Sequence, residues 1–547
     1  MHSVSSLSLP PIPSRPLWWR TRLHGLQYHA QLVDRSSALV AFGILCSRLT
    51  GFVRQRVFAH YFGLQSDVAD AFMAAFRIPN FLQNLFGEGA LSASFIPVYA
   101  ALVARNERET ATRVAGAVAA LLALMTSVLV LVGVVATPLL VGLIAPGFRG
   151  EKRALTIDIV RILFPGAGLL VLSAWCLGIL NSHRQFLLSY LAPVIWNVAM
   201  IVTLLWWGAI VPLPRLALLL AWGAVAGSAL QMLVQMPAVL RLVPDLRLRL
   251  ELSEHVRATV NNFAPVLVSR GVVQISAYID ALLASLLPTG AVTGLANAQL
   301  LYTLPASVFG LSVSAAALPA MSGAAGLDAL DMVRDRINSG LRQIAFFVVP
   351  SAVAFLVLGD VVAAAMFQTG RFTHDDAIYV WGILAGFSLG LLATTCARLY
   401  SSSYYALRDT RTPLRYALVH VAIATVLGYL AAVALPAALG INRLWGTAGL
   451  TAAASVAGWV ELLLLRRTLN RRIGRTGIPS ALSFRLWTAA LLAAGLAWGV
   501  KLALPAMHPI ATAVLVLIPY TGVYAGATIA MGVDDARRLL GRVMARV

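Results

Sequence analysis

Apolar residues occupy this chain in blocks too long for a soluble fold. Stretches of about 18 or more predominantly apolar residues alternate with short connections marked by Pro, Gly and Arg, and each is long enough for a helix to cross a bilayer. The pattern predicts about fourteen helical spans. They lie near 37–61, 68–101, 113–139, 154–181, 186–210, 215–241, 258–287, 291–322, 338–367, 376–406, 413–437, 443–465, 484–504 and 509–532. An all-α polytopic membrane protein is the fold class expected.

Composition agrees. Hydrophobic residues make up 59% of the 547 positions and charged residues 12%, with a mean hydropathy of +0.81. The 42 Lys and Arg against 22 Asp and Glu give a net charge of +20. A nucleic-acid partner is excluded, because this charge is scattered through short loops and forms no basic domain. It reads as topogenic charge that also meets anionic lipid headgroups. Cys46, Cys176 and Cys396 each fall inside an apolar span, which suits small core fillers rather than a disulfide framework or metal site. No cofactor is expected, since no nucleotide-binding, metal or nucleophile-elbow motif appears in a useful context.

Arginine placement orients the spans. With the N-terminus inside, the inner loops carry Arg105, Arg108, Arg113, Arg241, Arg247, Arg249, Arg334, Arg336, Arg408, Arg411, Arg466, Arg467 and Arg472, far outnumbering the outer arginines. Both termini are therefore expected in the cytoplasm. The long connections 242–257 and 466–483 divide the chain: a basic extension over 1–36, an N-lobe over 37–242, a C-lobe over 257–467, a last helix pair over 484–532 and a basic tail over 533–547. Two six-helix lobes around a central cavity is the plan this division suggests. The extension lacks the apolar core of a signal peptide.

Polar residues inside spans are costly and point to function. A guanidinium at bilayer depth costs about 2.5–3.5 kcal/mol or more unless it meets a polar cavity or a partner, and arginine does not escape by deprotonating. Arg48 and Arg54 lie in the first span, about 120° apart on an ideal helix, with Gly51 between them. Asp70, Arg77, Asn84 and Glu88 fall near one face of the second span, beside Pro79 and Asn80, where a helix break is expected. As ion pairs or as a cavity lining, this stripe has two readings. The seventh span carries Arg270, Gln274 and Asp280, and Asp280 is a candidate proton or cation site. Asn297, Gln299, Tyr302 and Thr303 precede Pro305 in the eighth. His420 reads as a satisfied core histidine, and Arg398 with Tyr400, Tyr404 and Tyr405 as interfacial anchors.

The residues Ser47-Arg48-x-x-Gly51-Phe52-x-Arg54, then Asp70-Ala71-Phe72 with Phe76-Arg77-Ile78-Pro79-Asn80, then Phe86-Gly87-Glu88-Gly89-Ala90, resemble the MurJ (MviN) lipid II flippase family of the multidrug/oligosaccharidyl-lipid/polysaccharide exporter superfamily. So do Ala145-Pro146-Gly147-Phe148, Phe367-Gln368-x-Gly370-Arg371-Phe372-Thr373 and Asp409-Thr410-x-Thr412-Pro413. The resemblance implies two lobes enclosing a cationic cavity, with the last two helices forming a groove for a polyprenyl tail. It implies a flippase, not an enzyme, moving an undecaprenyl-pyrophosphate-linked peptidoglycan precursor across the bacterial cytoplasmic membrane by alternating access. Membrane lipids and cell-wall synthesis proteins are the implied partners.

On that basis Arg48, Arg54, Arg77 and Arg270 are the candidate pyrophosphate ligands. Asp70, Asn80, Gln83, Asn84, Glu88, Gln274 and Gln299 are the candidate cavity lining. The chain departs from the family pattern in three places. Gln55 stands where an acid is expected, Gln83-Asn84 where a second-helix arginine is expected, and Ala298-Gln299-Leu300 where the eighth helix would carry Ala-Asp-Arg. Arg270 is the candidate replacement for the missing charge. A flippase for another polyprenyl-linked glycan, or a non-transporting lipid-binding or scaffold paralogue, are the alternatives these departures leave. Drug/cation antiport would want a carboxylate in the first span, and 37–61 contains none.

Overall fold

The computed structural model describes residues 40–537 apart from 41, 328, 441, 534 and 535, and the side chains of 88 and 264–277 are outside the described set. The basic extension expected over 1–36 and most of the tail over 533–547 also lie outside it. The described chain is a succession of helices. α1 covers 42–62. It is followed by α2 (Asp67–Phe86), α3 (Glu88–Ala104), α4 (Arg108–Val135), α5 (Thr137–Ile144), α6 (Gly150–Ser182), α7 (Phe186–Trp207) and α8 (Leu213–Leu242). Then come α9 (Glu254–Ser285), α10 (Ala291–Pro305), α11 (Ser312–Gly326), α12 (Leu330–Val357), α13 (Gly359–Phe367) and α14 (His374–Ala406). The chain ends with α15 (Arg411–Tyr429), α16 (Leu435–Leu439), α17 (Gly446–Ile473), α18 (Ser480–Ala503) and α19 (Pro509–Ala530).

Among the described residues, 12 helical spans are long and apolar enough to cross a membrane. α1 and α9 occupy the places of the expected first and seventh spans. Several ends follow local chemistry. Ser66 caps α2, and Thr373 and Asp376 exchange hydrogen bonds in a capping box at the start of α14.

The breaks differ from those expected. Pro79 sits inside α2 without ending it, and the interruption falls at Gly87. Proline's fixed φ suits a helix and removes one donor only. At Gly87 the N–H donates to the Gln83 carbonyl, and a Cβ would stand 2.3 Å from that oxygen. α10 runs into a π-helical turn, Ala306–Leu311, directly after Pro305, where the missing N–H allows the hydrogen-bond ladder to slip.

α2, α3, α4, α6, α7 and α8 pack on one another, as do α10, α12, α14, α15 and α17, while α18 and α19 lean on α12 and α13. α9, expected to open the second lobe, bridges instead, touching α2, α3, α4 and α5 as well as α10, α15 and α17. One apolar core unites both halves. Its members from the first half include Phe58, Phe62, Phe72, Ile78, Val141, Leu163 and Leu220, in the portion nearer the 63–66 connection. Toward the 105–107 loop the first half has a separate core containing Phe86, Phe95, Tyr99, Val118, Ile179 and Val239. Toward that end the second half joins through α9, whose Val256 and Phe263 pack into this core.

Tyr400 and Tyr404 are buried and donate or share hydrogen bonds with Thr476 and the Leu465 carbonyl. They are core residues, not the interfacial anchors expected. Arg398 and Tyr405 of that group are exposed.

Candidate functional site

At the end marked by 63–66, polar bonds join the halves. Asp70 is 1% exposed and accepts from Lys152 Nζ at 2.9 Å, from the Gly290 and Thr293 N–H groups at 2.9 Å, and from Thr293 Oγ1 at 2.8 Å. Its carboxylate therefore sits on the N-terminus of α10, where free N–H groups and the helix dipole favour an anion. Asp70, expected on the cavity stripe with Arg77, is instead part of this joint, because α2 turns its first residues toward α10. Thr289 donates to Asp67 at 2.7 Å. Gln55 donates to Asn297 Oδ1 at 2.8 Å. The Arg371 N–H donates to the His60 carbonyl at 2.9 Å, and Arg56 donates to the carbonyls of Ala365 and Met366. Gly370 makes this docking possible. It has φ +54°, and a Cβ there would lie 2.4 Å from the His60 carbonyl oxygen.

In the other portion of the first half, toward the 105–107 loop, lies a cavity of about 730 Å3. Its polar wall includes Ser47, Gln83, Asn84, Ser92, Asn197 and Gln231. Ser173 accepts from both Gln231 and Gln235 at 3.0 and 2.6 Å, tying α6 to α8 behind the cavity. Asn80 lines a smaller adjoining space with Phe76 and Trp196.

Arg54 stands beside this cavity. Its guanidinium lies 5.0 Å from the Trp196 ring centre and 5.4 Å from that of Phe76, with Nη1 3.7 Å from Met200 Sδ. Trp196 also lines the cavity and fixes its own N–H on the Ala224 carbonyl. Among the described residues no carboxylate is within ion-pair distance of Arg54. Aromatic faces hold the cation in place and leave its donors largely unspent. Arg48 is exposed, a turn and a half earlier on α1.

Arg77 reaches the other half, donating from Nη2 to Gln299 Oε1 at 3.0 Å, while Tyr278 donates to its carbonyl at 2.6 Å. Gln299 is thus the partner of Arg77. Asp280 is near enough for its charge to act on Arg77 and on His420. The side chains of Arg270, Gln274 and Glu88 lie outside the described residues. Arg54, Asn80, Gln83 and Asn84 are brought to the cavity region, Arg77 reaches across to Gln299, and Asp70 belongs to the joint. Sequence reasoning missed Trp196, Asn197, Ser173 and Gln231, as well as Glu461, which pairs with His420. A paired Gln231 and Gln235 in an apolar helix was the available signal.

A helical bundle with a polar cavity between spans, flanked by Arg54 and joined there to the second half through α9, has the build of a membrane transporter. The comparisons agree. The structure superposes on "Lipid II flippase MurJ, inward closed conformation" with a TM-score of 0.73 at 23% identity, over 92% of this chain and 100% of that one. An inward-facing MATE family multidrug transporter gives 0.64 at 18% identity over 78% of this chain and 95% of that one. In sequence, the family described as "Lipid II flippase MurJ" matches residues 58–518. A probable lipid II flippase MurJ of Rhizobium meliloti is 31% identical over 84% of this chain and 85% of its own length. The lipid II flippase MurJ of Burkholderia cenocepacia is 30% identical over 83% and 87%. The chain belongs to the MurJ lipid II flippase family.

Proposed function

We propose that this protein moves lipid II, a polyprenyl-pyrophosphate-linked peptidoglycan precursor, from the inner to the outer leaflet of the cytoplasmic membrane. The connection 63–66 faces outward and both termini face the cytoplasm, the assignment the arginine distribution supports. The cavity then opens on the cytoplasmic half while the Asp70 joint holds the outer end together, which is the loading state of an alternating-access cycle. Pyrophosphate meets Arg54 first, with Arg77, Arg48 and Arg270 adding charge. The last helix pair offers the apolar surface for the tail.

The observation that carries this reading is Arg54. Its charge lies in a span, beside a polar cavity, held by two aromatic rings and by no described carboxylate, so an anion is the missing partner. Bidentate guanidinium–phosphate pairing suits the pyrophosphate. Complementation of a bacterial strain depleted of its own lipid II flippase tests it. Rescue by the wild type and loss of rescue in Arg54→Ala, at equal membrane abundance, is the expected outcome. Failure of the wild type to rescue while abundant in the membrane refutes the reading and favours another polyprenyl-linked glycan or a binding role.

A further inference from the structure

The cavity is lined by amides and hydroxyls and, among its described lining residues, by no charged side chain. Charge stands at its margin, in Arg54 against the Trp196 ring. Within the wall, Ser173 of α6 and Gln231 and Gln235 of α8 form a network and are 1%, 9% and 1% exposed. Gln231 Nε2 and Gln235 Nε2 both donate to Ser173 Oγ, and Gln235 Nε2 also donates to the Gln231 carbonyl. The two N–H groups take both lone pairs of the Ser173 oxygen, so its own O–H is left without an acceptor among the described residues. Ser182 and Ser228, on the same two helices, instead donate to carbonyls of their preceding turn. The side-chain oxygen of Gln235 is sealed in the interior without a donor. That of Gln231 is not sealed, and Gln231 belongs to the cavity wall.

Unmet hydrogen-bonding groups inside a protein are costly, and more so at bilayer depth. A set of them held in place by its neighbours and opening on a cavity is how a polar subsite is built. We propose that Gln231, held by Ser173 and Gln235, binds a saccharide hydroxyl of the substrate headgroup. A hydroxyl donates and accepts at once, so it can receive the Ser173 O–H and give its own hydrogen to Gln231 Oε1. It pairs equally with the Gln231 amide turned the other way. A trans secondary amide points its N–H and C=O in opposite directions, so a peptide or acetamido group would satisfy one of the two and leave the other unmet. The subsite lies near the arginine assigned to pyrophosphate. Gly227 packs on Trp196, a Cβ there standing 3.0 Å from Trp196 Cδ1, and Gln231 follows it by four residues, about 6 Å along α8. The identity of the headgroup rests on the pyrophosphate reading above, to which the cluster adds recognition of the uncharged part. Ser173 and Gln235 are positioning residues.

The test uses the full-length protein in detergent with three ligands: lipid II, the same lipid with its peptide removed, and undecaprenyl pyrophosphate, which has neither sugar nor peptide. The wild type is expected to bind the two saccharide-bearing lipids more tightly than undecaprenyl pyrophosphate. Gln231→Met, close in volume, is expected to weaken both by about threefold to tenfold, the range of one uncharged hydrogen bond. Its affinity for undecaprenyl pyrophosphate is expected to equal the wild type's. Ser173→Ala, a smaller change, is expected to reduce the same preference and again to spare undecaprenyl pyrophosphate. A merely structural role for the cluster weakens all three ligands alike, and that result overturns the proposal. So do wild-type affinities for both saccharide-bearing lipids in both variants. A loss confined to the peptide-bearing lipid also overturns it, because the group bound is then a peptide amide. Arg54→Ala is expected to weaken all three ligands. If it binds them as the wild type does, the pyrophosphate reading falls, and the Gln231→Met comparison still decides the subsite. A wild type that binds none of the three overturns both.

Discussion

Replacing Asp70 by Asn should loosen the joint between the two halves. In the native joint one carboxylate satisfies Lys152, the Gly290 and Thr293 N–H groups and the Thr293 hydroxyl. The Asn oxygen can still serve Thr293, but its NH2 then faces the Lys152 ammonium and the Gly290 N–H, donor against donor. Breaking a buried ion pair costs about 3–5 kcal/mol. The lower end applies, because Lys152 keeps Asp67 at 2.9 Å. A loss of about 3 kcal/mol from the joined state is roughly a hundredfold shift in its population. Spin labels at Glu151→Cys and Asp375→Cys, with Cys46, Cys176 and Cys396 replaced, would report the separation across the joint. The expected result is a second, longer distance population in Asp70→Asn. Asp67→Asn should change little, since Asp67 is 61% exposed and exposed pairs contribute about 0–1 kcal/mol. An Asp70→Asn distribution identical to wild type, with complementation intact, would refute the reasoning.

Two further outcomes follow from local geometry. Asp409 accepts from the Arg411 and Thr412 N–H groups and the Thr412 hydroxyl, and pairs with Arg472 at 2.7 Å. Burial pushes its carboxyl up, yet the Thr412 bonds and Arg472 outweigh this and hold it below the usual carboxylate range. Its stabilisation is therefore complete above about pH 4, the unfolded value, and is lost as pH falls through the lower folded value. Asp409→Ala should cost about 1 kcal/mol at neutral pH and flatten the acid side of a thermal-unfolding profile. Gly87→Ala should drive the new methyl into the Gln83 carbonyl, 2.3 Å away, at a cost of about 1–3 kcal/mol. Because Gln83 lines the cavity, weakened complementation at normal membrane abundance is expected, and full rescue would show that the wall tolerates the shift.

Span positions were legible because hydrophobic length is a local property. Most helices begin and end within a few residues of the apolar blocks, as Phe186–Trp207 and Pro509–Ala530 do, while α12 starts at Leu330, well before its block, and α17 runs on to Ile473, well past its own. The polar positions of consequence were legible for the same reason, since each stands out against an apolar background. Their partners were not. A seven-residue spacing put Asp70 and Arg77 on one face of α2, yet Asp70 answers Thr293, 223 positions away, and Arg77 answers Gln299, 222 positions away. His420 read as a satisfied histidine, but only the packing of α15 on α17 supplied Glu461. Tyr400 and Tyr404 looked interfacial because they follow an apolar run, yet Tyr404 meets α17 at the Leu465 carbonyl and Tyr400 meets Thr476 in the connection after it.

The sequence by itself determined that this chain lives in a membrane as helices, and that several arginines there need an anion or an acid. Tertiary structure decided which received an acid, which received an amide and which, in Arg54, received aromatic rings and an open cavity. The physical reason is that burial is set by residue type along one dimension. Charge pairing instead depends on the rotation and depth at which distant helices cross, and no local pattern encodes either.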